Sequence, residues 1–155
     1  MSMPFNALGE SAAAVNAARQ AIHLSPDEMG HRYFLCLVLI TQQRFDEAIA
    51  ITQVDPADWS RLGCLAVAYR AAGRVEESEP HLQELIQKWG DIAGMQVAIS
   101  YAVNGEIEAT FKWLEHAYVT QDAGIAFLLP WAHHFKAMHG DPRWLALLKK
   151  MHLAD

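Results

Sequence analysis

Apolar residues recur at helical spacing along most of this chain, and the breaks between the apolar runs fall at regular places. In Leu62 to Leu85, Ala66, Tyr69 and Gly73 stand at i, i+3 and i+7, and a second amphipathic run comes after them. Small, aromatic and turn-forming residues in that order predict a helix, a tight turn and an antiparallel helix. Ala98, Tyr101 and Gly105 repeat the spacing, and Gly105-Glu106-Ile107-Glu108 answers Gly73-Arg74-Val75-Glu76. Upstream, Gln43-Arg44-Phe45-Asp46-Glu47-Ala48-Ile49 is a third version of the turn and second helix.

The same periodicity predicts the remaining elements. Residues 10–24 predict a helix with Ala14, Ala18 and Ala21 on one face, ended by Ser25-Pro26-Asp27, since proline blocks the helix and pushes the residue before it out of the α region. Residues 29–42 predict a helix apolar nearly all round, from Tyr33 to Ile40, and residues 45–53 its short partner. Hairpins are expected from 59–72 with 75–89, where Pro80 predicts a start at Ser78 or a kink near Glu76, and from 91–104 with 106–120, whose inward face is Phe111, Leu114, Ala117 and Tyr118. Short helices are expected at 123–129 and 131–138. Asp141-Pro142-Arg143-Trp144 then opens a last helix, with cap and first-turn proline in the preferred order and Trp144, Leu147, Leu148 and Met151 on one face.

A design of this kind resembles the tetratricopeptide-repeat family, helical hairpins of about 34 residues that stack into a solenoid. The turn positions Gly9, Gln43, Gly73 and Gly105 lie 34, 30 and 32 residues apart, so the array is irregular. The ending Asp-Pro-Arg-Trp-x-x-Leu-Leu-x-x-Met-x-Leu looks like the terminal helix of bacterial regulators of this class. The resemblance implies an all-α, right-handed alpha-alpha solenoid, with a repeat array over 1–122 and capping helices over 123–155. The first repeat is expected to be incomplete, as though the chain began in mid-repeat, with its missing helix cut away or supplied by another molecule. An apolar face from Phe5, Leu8, Ala14, Ala18 and Ile22 would then need covering.

Composition narrows the function classes. The chain has 155 residues, enough to bury a core without staples, and a net charge of −6 with only 12 Lys and Arg. A scattered basic complement of that size argues against a nucleic-acid backbone as partner. No apolar run reaches membrane-span length and no leader sequence is visible, so a cytoplasmic protein is expected. Cys36 and Cys64, far apart and each in an apolar run, read as reduced core or groove residues.

The chemistry-bearing residues favour the plain reading. His133, His134 and His139 lack the i, i+3 or i, i+4 spacing of helical zinc ligands, so no metal is expected. With no nucleophile elbow, phosphate loop or paired cysteines, neither catalysis nor a cofactor is expected. Of Trp59, Trp89, Trp113, Trp131 and Trp144, four read as packing residues, and Trp131, after a proline and beside two histidines, as a candidate surface contact.

In tetratricopeptide arrays the first helix of each hairpin lines a concave groove. The resemblance places Tyr33, Phe34, Leu37 and Thr41 there, then Ser60, Cys64, Val67 and Arg70, then Met95, Gln96 and Ile99. Arg70 is the sole cation of the set, unlike the Lys, Asn and Arg clamps of members that hold a carboxylate. The expected function is a non-catalytic scaffold binding a protein or peptide segment, such as an amphipathic helix, in a larger complex. The alternative is an oligomerisation domain, a homodimer pairing through its N-terminal half-repeat.

Overall fold

The left-handed residues of the backbone organise the fold. In the computed structural model, which describes residues 7–28, 30–128 and 132–155, Gln43, Gly73, Gly105, Gln121 and His152 have φ of 60°, 80°, 73°, 57° and 60°. Each ends a helix in the same manner. At Gly73 its own N–H donates to Arg70 O and the next N–H, from Arg74, donates to Tyr69 O; the same pair of bonds recurs at the other four positions. This double closure satisfies carbonyls that the end of a helix leaves open.

All the elements among the described residues are helical. The α-helices are α1 (Ala7–Leu24), α2 (His31–Thr41), α3 (Phe45–Ile51), α4 (Asp58–Ala71), α5 (Val75–Trp89), α6 (Gly94–Ala102), α7 (Ile107–Val119) and α8 (Pro142–Lys150), with 3-10 helices at Thr52–Val54, Ala123–Phe127 and Ala132–Met138. None of these helices is long and apolar enough to cross a membrane. The contacts divide the chain into two compact units, Met1–His81 and Leu82–Asp155, and the segment after residue 122 belongs to the second.

In the first unit α1 packs on α2, α2 on α3, and α4 on both α2 and α3. In the second, α6 packs on α7, Ala123–Phe127 on both of these, and Ala132–Met138 on α6. Counted from the left-handed residues Gln43, Gly73 and Gly105, the hairpins share a register. Five positions on, at Ala48, Ser78 and Thr110, a small residue on the second helix is fully buried. Seven positions back, at Cys36, Ala66 and Ala98, another small residue is equally buried. Small side chains at these two places let the helices approach closely. Ser78 uses the closeness, its Oγ donating to the Ala66 carbonyl across the hairpin at 2.7 Å.

The structure departs from the sequence-based expectations at several places. Gly9 does not close a helix: it lies within α1, since one glycine costs about 1 kcal/mol in a helix and the alanine-rich run around it outweighs that. Ala18 and Val15 of α1 are buried, and α1 lies on α2. Of the face expected to need an outside cover, Ala18 is thus buried and Ala14 and Ile22 half-buried within the chain. Phe5 and the side chain of Leu8 lie outside the described residues. Helix α5 starts at Val75 and runs unbroken past Pro80, which forfeits the single bond to the carbonyl of Glu76, an exposed residue.

The cysteines are also different. Cys36 and Cys64 form a disulfide, with Cα atoms 6.0 Å apart, in place of the reduced pair expected. Spacing along the chain gives no sign of it, because the pairing depends on how α2 faces α4. The last helix matches its expected start: Asp141 caps α8, its carboxylate accepting from the Arg143 N–H, and Pro142 occupies the first turn.

Candidate interaction surface

Nine of the eleven expected groove residues are interior. Tyr33, Leu37, Ser60, Cys64, Val67 and Arg70 in the first unit, and Met95, Gln96 and Ile99 in the second, are all buried, while Phe34, at 38%, and Thr41 are exposed. The shared register explains this. Leu37, Val67 and Ile99 each stand six positions before the left-handed residue and next to the buried small residue, so they belong to the core of their hairpins. Arg70 is committed as well. Its Nη1 donates to Ser78 Oγ and its Nη2 to a Glu79 carboxylate oxygen, both at 2.9 Å, which neutralises a buried charge between α4 and α5. The repeated tyrosines sit at the rim: Tyr69 and Tyr101 are half-buried, with Tyr69 stacked on His81 and under the Arg74 guanidinium.

The open surface in the second unit lies elsewhere, where α7 ends. Leu114 and Ala117 turn into the core, and the helical period then carries Tyr118 and Val119 outward, Val119 to 74% exposure. Gln121 closes the helix, and Asp122, which is buried, fixes the direction of the next segment. One Asp122 oxygen accepts from the Gly124 N–H at 2.8 Å and the other from the Met95 N–H at 2.9 Å. The carboxylate thus satisfies a first-turn donor of α6 from 27 residues away and pins Ala123–Phe127 against that helix. Gly124 is required at this contact, because a Cβ there would lie 2.9 Å from Met95 Cβ.

The far wall comes from the end of α8. Tyr118, Val119, Gln121, Asp122, Ala123, Ile125 and Ala126, with Lys150, Met151 and His152, surround a concavity of about 650 Å³. Lys150 and His152 bring basic side chains to it, and the Lys150 ammonium, held by Glu115 at 2.8 Å, sits 5.0 Å from the centre of the Tyr118 ring. The pairing with Glu115 keeps the Lys150 pKa above its ordinary value. Arg143 ties the other end of α8 to α7 through both oxygens of Glu108 and lies over the Phe111 ring at 4.5 Å. Its bonds to Asp141 pull that carboxyl down to about 2.

His134 and His139 serve packing. His134 is buried with its ring 3.9 Å from that of His133, and burial, reinforced by His133, pushes its pKa down to about 3. His139 has Nε2 3.0 Å from the Ala132 carbonyl oxygen and its ring against Trp144, which also meets Phe135. No group of three or more His, Cys, Asp or Glu side chains able to hold a metal ion occurs among the described residues. Trp131 lies outside them.

The residues that shape this surface carry little signal in the sequence. Asp122-Ala123-Gly124 is a turn signature, an Asx residue bonding to the backbone two positions on, and it marks the place but not the partner helix. Tyr118, expected inward with Ala117, is instead 37% exposed and forms a wall of the concavity. No protein-family model, curated protein or solved structure matches this chain.

Proposed function

We propose that this chain is a non-catalytic scaffold of tetratricopeptide-like hairpins that binds an acidic amphipathic helix at the surface formed by α7, Ala123–Phe127 and the end of α8. The observation that supports it best is the shelf itself. Tyr118, Val119, Ile125, Ala126 and Met151 offer apolar side chains to a concavity that Lys150 and His152 also line, in a chain of net charge −6. Apolar surface with a lysine at its edge fits a helix with an apolar stripe flanked by carboxylates. The lysine steers and orients, and the apolar floor supplies most of the affinity. The repeated hairpin register supports the scaffold reading, since stacked helical hairpins present extended binding surfaces. The stacking of hairpins into a solenoid belongs to the same proposal.

Self-association through the N-terminal half-repeat is the weaker reading, because α2 already covers Val15 and Ala18. The test is selection of helical peptides from a displayed random library on the immobilised full chain, followed by calorimetry. Selected peptides should carry Asp or Glu beside an i, i+3, i+4, i+7 apolar stripe, and Val119→Glu should weaken them at least tenfold while leaving the melting temperature within about 2 °C. Peptides without acidic residues, or binding indifferent to Val119→Glu, would remove this site from consideration.

A further inference from the structure

The disulfide between Cys36 and Cys64 joins α2 of one hairpin to α4 of the next, 28 residues on. Its position in the repeat register shows what the fold would do without it. Cys36 occupies the small-residue slot filled elsewhere by Ala66 and Ala98, and all three are fully buried. A thiol fits such a slot as a small hydrophobe. Cys64 Sγ lies 3.3 Å from the Ala48 carbonyl oxygen of α3, so once reduced its S–H could donate there. Neither side of the hairpin packing depends on the bond. What the bond adds is a covalent tie between helices that otherwise meet only through side chains.

We propose that the Cys36–Cys64 bond is a redox-controlled staple, formed in an oxidising environment, that sets how readily α2 and α4 separate while the hairpins themselves stay folded in either state. The oxidant is a disulfide-bearing exchange partner such as oxidised glutathione. One cysteine thiolate attacks it, giving a mixed disulfide, and the second cysteine displaces the glutathione thiolate. Two protons and two electrons leave the protein as the partner becomes two thiols. A dithiol runs the steps in reverse. Both sulfurs are enclosed, Cys36 at 0% and Cys64 at 2% exposure, so exchange in either direction waits for α2 and α4 to part. The staple therefore resists reduction while the first unit is closed and yields when it opens. The bond lies in the first unit, and none of the residues of the proposed binding surface belongs to that unit.

The test uses the full chain equilibrated with oxidised glutathione, then with dithiothreitol, and alkylated before thiols are counted in denaturant. The oxidised form should show no free thiol and no attached glutathione, and the reduced form should show two thiols. Circular dichroism should report the same helicity in both. The reduced form should melt lower by roughly 7–14 °C, as loss of a cross-link closing a loop of this length predicts. Amide exchange in α2 and α4 should rise about 100-fold. A Cys36→Ala, Cys64→Ala double variant should match the reduced form and ignore glutathione. Thiols that remain free or capped by glutathione, equal melting temperatures, or loss of helicity on reduction or in the double variant would each overturn the proposal.

Discussion

The chain turns back on itself in the same way after α4 and after α7, yet only the first turn builds a hairpin. At Gly73 and at Gln121 the closing residue is left-handed and the two capping bonds are alike. After Gly73 comes Arg-Val-Glu-Glu-Ser, a long helix, and a small residue five positions on that is buried against the first helix. After Gln121 comes Asp-Ala-Gly-Ile-Ala, a 3-10 turn, and Ala126 in that same position is exposed. The closure is therefore local and common, and the residues on its C-terminal side decide whether a module forms. A second helix forms where its small residue can meet the first; where a buried aspartate captures the chain, the segment folds back and leaves an open shelf.

The largest effect should come from the positions expected to line a groove and found in the core. Leu37→Glu and Ile99→Glu place a charge where exposure is 1% and 0%, and each should cost about 4 kcal/mol or more, enough to unfold much of the protein. Thermal melts of the purified variants check this. Stable variants would mean that these faces open to solvent. Next, Ala48→Leu and Thr110→Leu should each destabilise by about 1–3 kcal/mol through overpacking, whereas Ala126→Leu, at the matching place in the tail, should change stability by less than about 0.5 kcal/mol. Denaturant titration of the three would sharpen the contrast, and equal effects would break it.

A buried histidine gives the segment after α7 a pH signature of its own. Burial holds the folded His134 near 3, well below its ordinary value, so between about pH 6.5 and 3 the unfolded chain binds a proton that the folded chain does not. Stability from this group is complete above pH 6.5 and falls as the pH drops, by about 2 kcal/mol between pH 7 and 5. His134→Gln should flatten that part of the profile in urea titrations at stepped pH. Glu47, Glu77, Glu108 and Asp141 have lowered values from their arginine partners, so their contributions are lost only further down, as the pH falls through those values.

How far the sequence could be read depends on which interactions are local. Helices closed at Gln43, Gly73 and Gly105 were legible, because a left-handed residue, a small buried partner and an apolar face all repeat within one hairpin. The start of α8 was legible for the same reason: Asp141 and Pro142 act within a single turn. Contacts between distant segments were not. Nothing beside Asp122 announces Met95, nothing beside Cys36 announces Cys64, and Arg70 reads as a surface cation until Ser78 and Glu79 are seen against it. The groove assignment fails on this point. A helical wheel tells which residues share a face, and only the packing tells whether that face is covered.

The division between covered hairpin faces and an open tail shelf is tested most directly by amide chemical-shift mapping of the full chain, titrated with an amphipathic helical peptide that carries acidic residues beside its apolar stripe. Shifts should cluster at residues 118–126 and 149–153 and saturate together, with residues 33–41, 60–70 and 95–99 unmoved. Saturable shifts along those three inner segments, with the shelf silent, would contradict the assignment.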